Sequence, residues 1–137
     1  MTMQREGGCQ CGRVRYRVDG EPIAMTICHC RECQRQSGSA FGTSTIVRKD
    51  AFTILRGEPK IYTRDSDSGR PVVCAFCPEC GTRIYHEPRY MDGVVNVKAG
   101  TFDDPSFFRP SIEVWTKRRH PWLALTCDLQ SFEAQPG

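Results

Sequence analysis

Seven of the nine cysteines in this 137-residue chain fall into three tight groups: Cys9 and Cys11 in "CQC", Cys28, Cys30 and Cys33 in "CHCREC", and Cys77 and Cys80 in "CPEC". Thiols at two- and three-residue spacing converge on one point in an extended or turning backbone, so whatever fold the chain adopts has to accommodate them as clusters. An odd count cannot pair completely as disulfides. "MTMQREGGCQCG" at the N-terminus has no apolar signal core, and no run approaches the ~20 apolar residues of a membrane span. The expectation is a cytoplasmic protein whose thiols stay reduced. Metal ligation is then the reading to pursue.

"FCPECGT" is the most specific stretch: C-x-x-C followed by Gly is the knuckle of a zinc ribbon, where the turn aims both sulfurs at one ion. A knuckle supplies two ligands and tetrahedral structural zinc takes about four, so "CQC" is the natural second pair, with Cys9 and Cys11 on one face of an extended segment. A thioredoxin-like redox pair at Cys77 and Cys80 is the competing reading, and no βαβ pattern surrounds it. Cys28 and Cys30 share a face by the same spacing, and Cys33 returns to them over the first turn of a helix. Three thiolates with no fourth protein ligand describe a zinc site with an open position. His29 as fourth ligand would close it; extended geometry turns His29 away, toward a supporting, substrate-facing or surface role. Zinc rather than iron is an inference from thiolate ligation. Cys74, on the opposite face of its strand from Cys77, and Cys127 read as small core residues.

Between the thiols the chain reads as strands. "RVRYRV" at 13–18 alternates, with Val14, Tyr16 and Val18 inward and Arg13, Arg15 and Arg17 outward. "IAMTICHC", "AFGTSTIV", "FTILRG", "KIYT", "VVCAF", "TRIYH", "GVVNVKAG" and "SIEVW" are short, rich in β-branched and aromatic residues, and bounded by Gly, Pro, Asp and Ser. "RECQRQSG" predicts one short helix, Arg31 to Ser37, stopped by Gly38. "RDSDSGRP" at 64–71 reads as a hairpin or loop and "SFEAQPG" as a frayed tail. The fold class is therefore mainly β, with several small sheets around a zinc-ribbon-like knuckle and one short helix, in a single domain over 1–137 with its core at about 7–125. Composition is ordinary for a globular protein, at 39% hydrophobic and 26% charged residues. A formal charge of +3, with "TKRRHP" at 116–121 the main basic patch, does not mark a nucleic-acid binder.

Taken together, "CHCRECQRQSGSAF", "FCPECGTRIY", "GTFDDP" and "RRHPW" resemble the glutathione-dependent formaldehyde-activating enzyme family, which includes centromere protein V, over roughly Gly7 to Leu125. The resemblance implies coiled antiparallel sheets around the knuckle, a structural zinc on Cys9, Cys11, Cys77 and Cys80, and a catalytic zinc on Cys28, Cys30 and Cys33. It also implies a carbon–sulfur lyase run toward addition, joining a glutathione-like thiol to formaldehyde or another small aldehyde, with neither nucleic acid nor membrane as partner. Oligomeric state is not legible. Arg31, Arg35, Arg48 and Lys98 are candidate anchors for the thiol's carboxylates, though each reads first as a surface charge. A non-catalytic zinc-ribbon module and a labile zinc or redox reservoir are the competing functions. Four plus three ligands predict about two zincs per freshly purified chain, falling to about one on dialysis against millimolar glutathione if the second site is open. Elemental analysis before and after dialysis checks this; two zincs that resist glutathione would indicate a closed second site.

Overall fold

A computed structural model of the chain describes residues 3–66, 69–89, 91–125 and 127–136. In chain order the elements are β1 (Gln4–Gly8), β2 (Arg15–Asp19), β3 (Ala24–Cys28), α1 (Arg31–Ser37), β4 (Gly42–Arg48), β5 (Phe52–Arg56), β6 (Lys60–Arg64), β7 (Val72–Phe76), β8 (Arg83–Pro88), β9 (Val94–Lys98), β10 (Ile112–Val114) and β11 (Gln130–Ser131). The mainly β reading with one short helix is what the structure shows. The strands form two sheets, one of three in the order β1-β2-β5 and one of eight in the order β11-β10-β3-β4-β9-β8-β7-β6. Pairing is antiparallel except where β10 runs parallel to β3 on one side and to β11 on the other. Among the described residues no helix is long and apolar enough to cross a membrane.

The alternation of "RVRYRV" is realised: Val14, Tyr16 and Val18 are buried, and Tyr16 is 0% exposed. They pack with Val47, Val95, Val97, Ile84 and Phe102 into a core between the two sheets, and Cys9 and Cys77 belong to the same cluster. The Tyr16 ring meets Phe102 edge to face at 5.4 Å, and its hydroxyl bonds Thr101 Oγ1 at 2.7 Å. Arg15, on the outward face, donates to Asp103 Oδ1 at 2.8 Å. "GTFDDP" thus straps the small sheet to the rest of the molecule through Thr101, Phe102 and Asp103.

Two expectations change. The tail is not frayed throughout: Gln130 and Ser131 pair with β10, and Phe132 N–H donates to the Glu113 carbonyl at 3.0 Å. The parallel pairing of β10 leaves an open edge there, whose unpaired backbone groups the returning chain satisfies. "CQC" is a turn rather than an extended segment, with Gly12 at φ +80° closing it. Of "RDSDSGRP", Asp67 and Ser68 lie outside the described residues.

Gly7 is required where β1 crosses the strap. A Cβ built there would sit 2.3 Å from the Thr101 carbonyl oxygen and 2.5 Å from the Tyr16 hydroxyl. Backbone on one side and a packed ring on the other cannot yield, so Gly7→Ala is expected to lose about 1–3 kcal/mol or more of stability by overpacking. Tyr16→Phe, which removes only the hydroxyl bond to Thr101, should lose about 1 kcal/mol. Urea denaturation midpoints check both; a Gly7→Ala midpoint at the wild-type value would refute this account of the packing.

Candidate thiol site and its cavity

The four sulfurs of Cys9, Cys11, Cys77 and Cys80 lie within 4.8 Å of one another, as do those of Cys28, Cys30 and Cys33. The first group sits where the sheets meet. Cys9 and Cys11 come from the β1–β2 turn and Cys77 and Cys80 from the β7–β8 turn, each closed by a glycine at φ +80°, Gly12 and Gly81. The turns aim backbone donors at sulfur: Val14 N–H reaches Cys9 Sγ at 3.2 Å, and Glu79 and Cys80 N–H reach Cys77 Sγ at 3.4 and 3.5 Å. Thr82 and backbone donors hold Cys80 down to about 5. A tetrahedron of sulfurs about 2.3 Å from a zinc ion has edges of roughly 3.8 Å. Cys9–Cys11 and Cys11–Cys77 are separated by 3.6 and 3.7 Å, so this donor set fits such an ion.

The second group is assembled where β3 runs into α1. Cys28 ends β3, Cys30 caps α1 by accepting the Cys33 N–H at 3.3 Å, and Cys33 lies one turn into the helix. Hydrogen bonds from Cys28 and Cys33 hold the Cys30 thiol well below its usual range, and the Cys30 and Cys33 contacts push Cys28 up. Gly42, opposite Cys28 on β4, makes room: a Cβ there would approach Cys33 Cβ to 3.1 Å. Gly38 ends α1 in the left-handed region, where the sequence predicted the stop.

Cys28, Cys30 and Cys33 all line a cavity of about 560 Å³, whereas Cys9, Cys11, Cys77 and Cys80 do not. That volume is within the roughly 300–1,000 Å³ of small-molecule sites. One face of the large sheet forms its floor. Ser44 and Ile46 of β4 pair with Lys98 and Asn96 of β9, and Asn96 pairs with His86 of β8. Val47, Val95 and Val97 point the other way, into the core. Arg31, Arg64, Lys98 and Arg118 bring positive charge to the cavity against Glu32 and Asp65. Burial, then Lys98, Arg64 and Arg83, push His86 down to about 2. Burial also pushes Lys98 down, opposed by the Cys33 thiol.

His29 is not a surface residue: it is 0% exposed, faces away from the thiols, and donates from Nε2 to Glu113 Oε1 at 2.9 Å. Arg119 and Ser131 also donate to Glu113, at 3.2 and 3.0 Å. Burial pushes His29 down, against the pull of Glu113. Buried Gln34 ties the helix to this network, donating to the His29 and Arg118 carbonyls at 2.7 and 3.3 Å and accepting from His120 at 2.9 Å. The thiol loop is therefore braced from behind. Of the candidate anchors, Arg31 and Lys98 line the cavity, while Arg48 pairs with Asp50 in the open and Arg35 lies outside the lining. Lys98 is buried, not a surface charge. Cys74 is buried in neither cluster, as expected, but Cys127 is exposed rather than in the core. Sequence reading missed Glu113, Gln34, Arg64 and His86; the bulge at Ile84 puts Ile84 in the core and His86 on the cavity face, so alternation along β8 gives no signal for His86.

A mainly β protein with two thiol clusters able to hold metal, one opening on a cavity, is the class these features define. The chain belongs to the glutathione-dependent formaldehyde-activating enzyme family, whose profile matches residues 4–118. A protein of Halomonas elongata that carries a provisional name as a glutathione-dependent formaldehyde-activating enzyme is 29% identical over 96 residues, 66% of this chain; the match spans 60% of that relative's length. A crystal structure of a Rhodobacter sphaeroides protein superposes with a TM-score of 0.59 at 21% identity, covering 72% of this chain and 87% of that one. This likeness shows the shared fold.

His86 gives the site a pH signature. Its folded value lies below the unfolded one of about 6.5, so its contribution to stability is complete above that pH and is lost as pH falls, by roughly 2 kcal/mol between pH 7.5 and 5.0. His86→Gln should show a stability profile flatter by that amount in denaturant titrations over this range. Equal slopes in the two proteins would contradict the neutral, buried state of His86.

Proposed function

We propose that this chain is a zinc-dependent enzyme that joins a thiol, glutathione or one like it, to formaldehyde or another small aldehyde, giving an S-hydroxymethyl adduct. Formally this is a carbon–sulfur lyase working toward addition. The observation that carries the reading is the contrast between the clusters: four sulfurs drawn together at the junction of the sheets and lining no cavity, and three that face one. In this reading Cys9, Cys11, Cys77 and Cys80 hold a structural zinc, and Cys28, Cys30 and Cys33 hold a second. Zinc bound by three thiolates keeps one position for an incoming group and supplies a lowered thiol pKa and Lewis acidity.

The chain's own residues do the rest. The cavity holds both reactants together, which removes much of the entropy cost of a bimolecular step. Arg31, Arg64 and Arg118 offer guanidinium donors to the carboxylates of an anionic thiol. The His29–Glu113–Gln34 network keeps the thiol loop in one geometry. We read residues 1–137 as one unit acting in the cytoplasm, where free thiols are abundant.

Hemithioacetal formation, followed by exchange NMR with glutathione and formaldehyde, should be faster with enzyme than in buffer. Cys30→Ser should lose about two orders of magnitude or more of that acceleration, since several kcal/mol of stabilisation at the metal is removed. Equal rates with and without enzyme would overturn the reading and favour a non-catalytic zinc module or a labile zinc reservoir.

A further inference from the structure

Lys98 is a buried cation that the fold leaves almost unpartnered. It is 8% exposed, and its hydrogen bond to Ser44 Oγ is long, at 3.4 Å. Among the described residues no carboxylate pairs with it. Burying an ammonium without a carboxylate is costly, and its cationic neighbour on the cavity side, Arg64, does nothing to offset that. Packing does not require the charge, because a methionine would fill the same space. What the ammonium gains from its position is a view of the thiols.

Gly42 shows how close that view is. Lys98 Nζ and Cys33 Sγ each lie 3.5 Å from the point where a Gly42 Cβ would stand, so the two atoms are at most twice that distance apart. The gap between them is open only because residue 42 has no side chain. An oxygen about 2.7–3.1 Å from Nζ would leave its carbon within reach of a sulfur near the cluster, at the roughly 3–3.5 Å of a near-attack geometry.

We infer that Lys98 is a catalytic residue: its ammonium holds the aldehyde oxygen and hands it a proton as the carbon–sulfur bond forms. This rests on the thiol–aldehyde reading above. The thiol's S–H bond breaks and its sulfur bonds to the aldehyde carbon. The π pair of the carbonyl moves onto oxygen, oxygen takes a proton from Nζ, and the proton released by the thiol restores the ammonium. Nothing is oxidised or reduced.

The test compares wild type, Lys98→Met and Gly42→Ala for zinc content and for the rate of adduct formation with glutathione and formaldehyde. Lys98→Met keeps the side chain's length and should retain the wild-type zinc count. Its kcat should fall about 10²–10³-fold, the scale of removing one donor to a developing oxyanion, while KM for the thiol changes by less than about threefold. Gly42→Ala keeps every polar group but fills the gap, at the cost of a tight 3.1 Å approach to Cys33 Cβ, and at equal zinc content it should slow the reaction. Lys98→Met turning over at the wild-type rate, or slowing only in proportion to lost zinc, overturns the inference while leaving the thiol–aldehyde reading intact. Absence of acceleration in the wild type overturns both.

Discussion

The meeting of four sulfurs at the junction of the two sheets is the constraint on which the rest of the structure depends. Cys9 and Cys11 come from the small sheet and Cys77 and Cys80 from the large one, more than sixty residues later in the chain. Cys9 and Cys77 are also members of the hydrophobic core, so the cluster and the core stabilise the same interface. The core contacts of Cys9 and Cys77 offset the entropy cost of closing a loop of that length, and an ion held by the four sulfurs would add to this. The β7–β8 turn is thereby held, and with it the register that puts His86 opposite Asn96 and so builds the cavity floor.

The large sheet divides its labour by strand parity. Residues Val47, Val95 and Val97 join the core, and their neighbours Ile46, Asn96 and Lys98 face the cavity. The polar half of this arrangement is costly. His86 and Lys98 are buried with few partners, and the His86 Nε2 and Asn96 Oδ1 atoms have no hydrogen-bond partner within the protein. Unsatisfied buried polar atoms gathered on one face, beside a thiol cluster, are what a binding site costs a fold in stability. The opposite side of the thiol loop is tied together by side-chain hydrogen bonds. His29 Nε2, Arg119 and Ser131 all bond to Glu113, Gln34 bonds to the His29 carbonyl, and β11 closes the edge that brings Ser131 to Glu113.

Much of this was legible in residue order. Alternation located most strands and the buried face of "RVRYRV", and the helix limits followed from Arg31, Ser37 and the left-handed Gly38. Spacing sorted the thiols, and Cys74 was placed correctly because strand parity opposes it to Cys77. What failed had a common cause. β1 carries two glycines and little apolar pattern, and β11 is a two-residue strand that exists only because β10 offers it an edge. The role of His29 stayed open among supporting, substrate-facing and surface readings because its partner, Glu113, is eighty-four residues away. Cys127 looked buried because its apolar neighbours suggested a core that the fold puts elsewhere.

By itself the sequence determined the chemistry available: three groups of thiols, the turn glycines beside them, the β-branched strands between them and the single short helix. These are local matters, decided by steric preference, spacing and the two-residue period of a strand. Only the tertiary structure decided which of the clusters sees a cavity, and which charges are buried beside it. Arg48 and Lys98 illustrate the division. Each is a cation at the end of a strand rich in β-branched residues, yet one pairs with Asp50 in solvent and the other is enclosed near Cys33. Burial belongs to the packing of distant segments, and a residue's immediate neighbours carry almost no record of it.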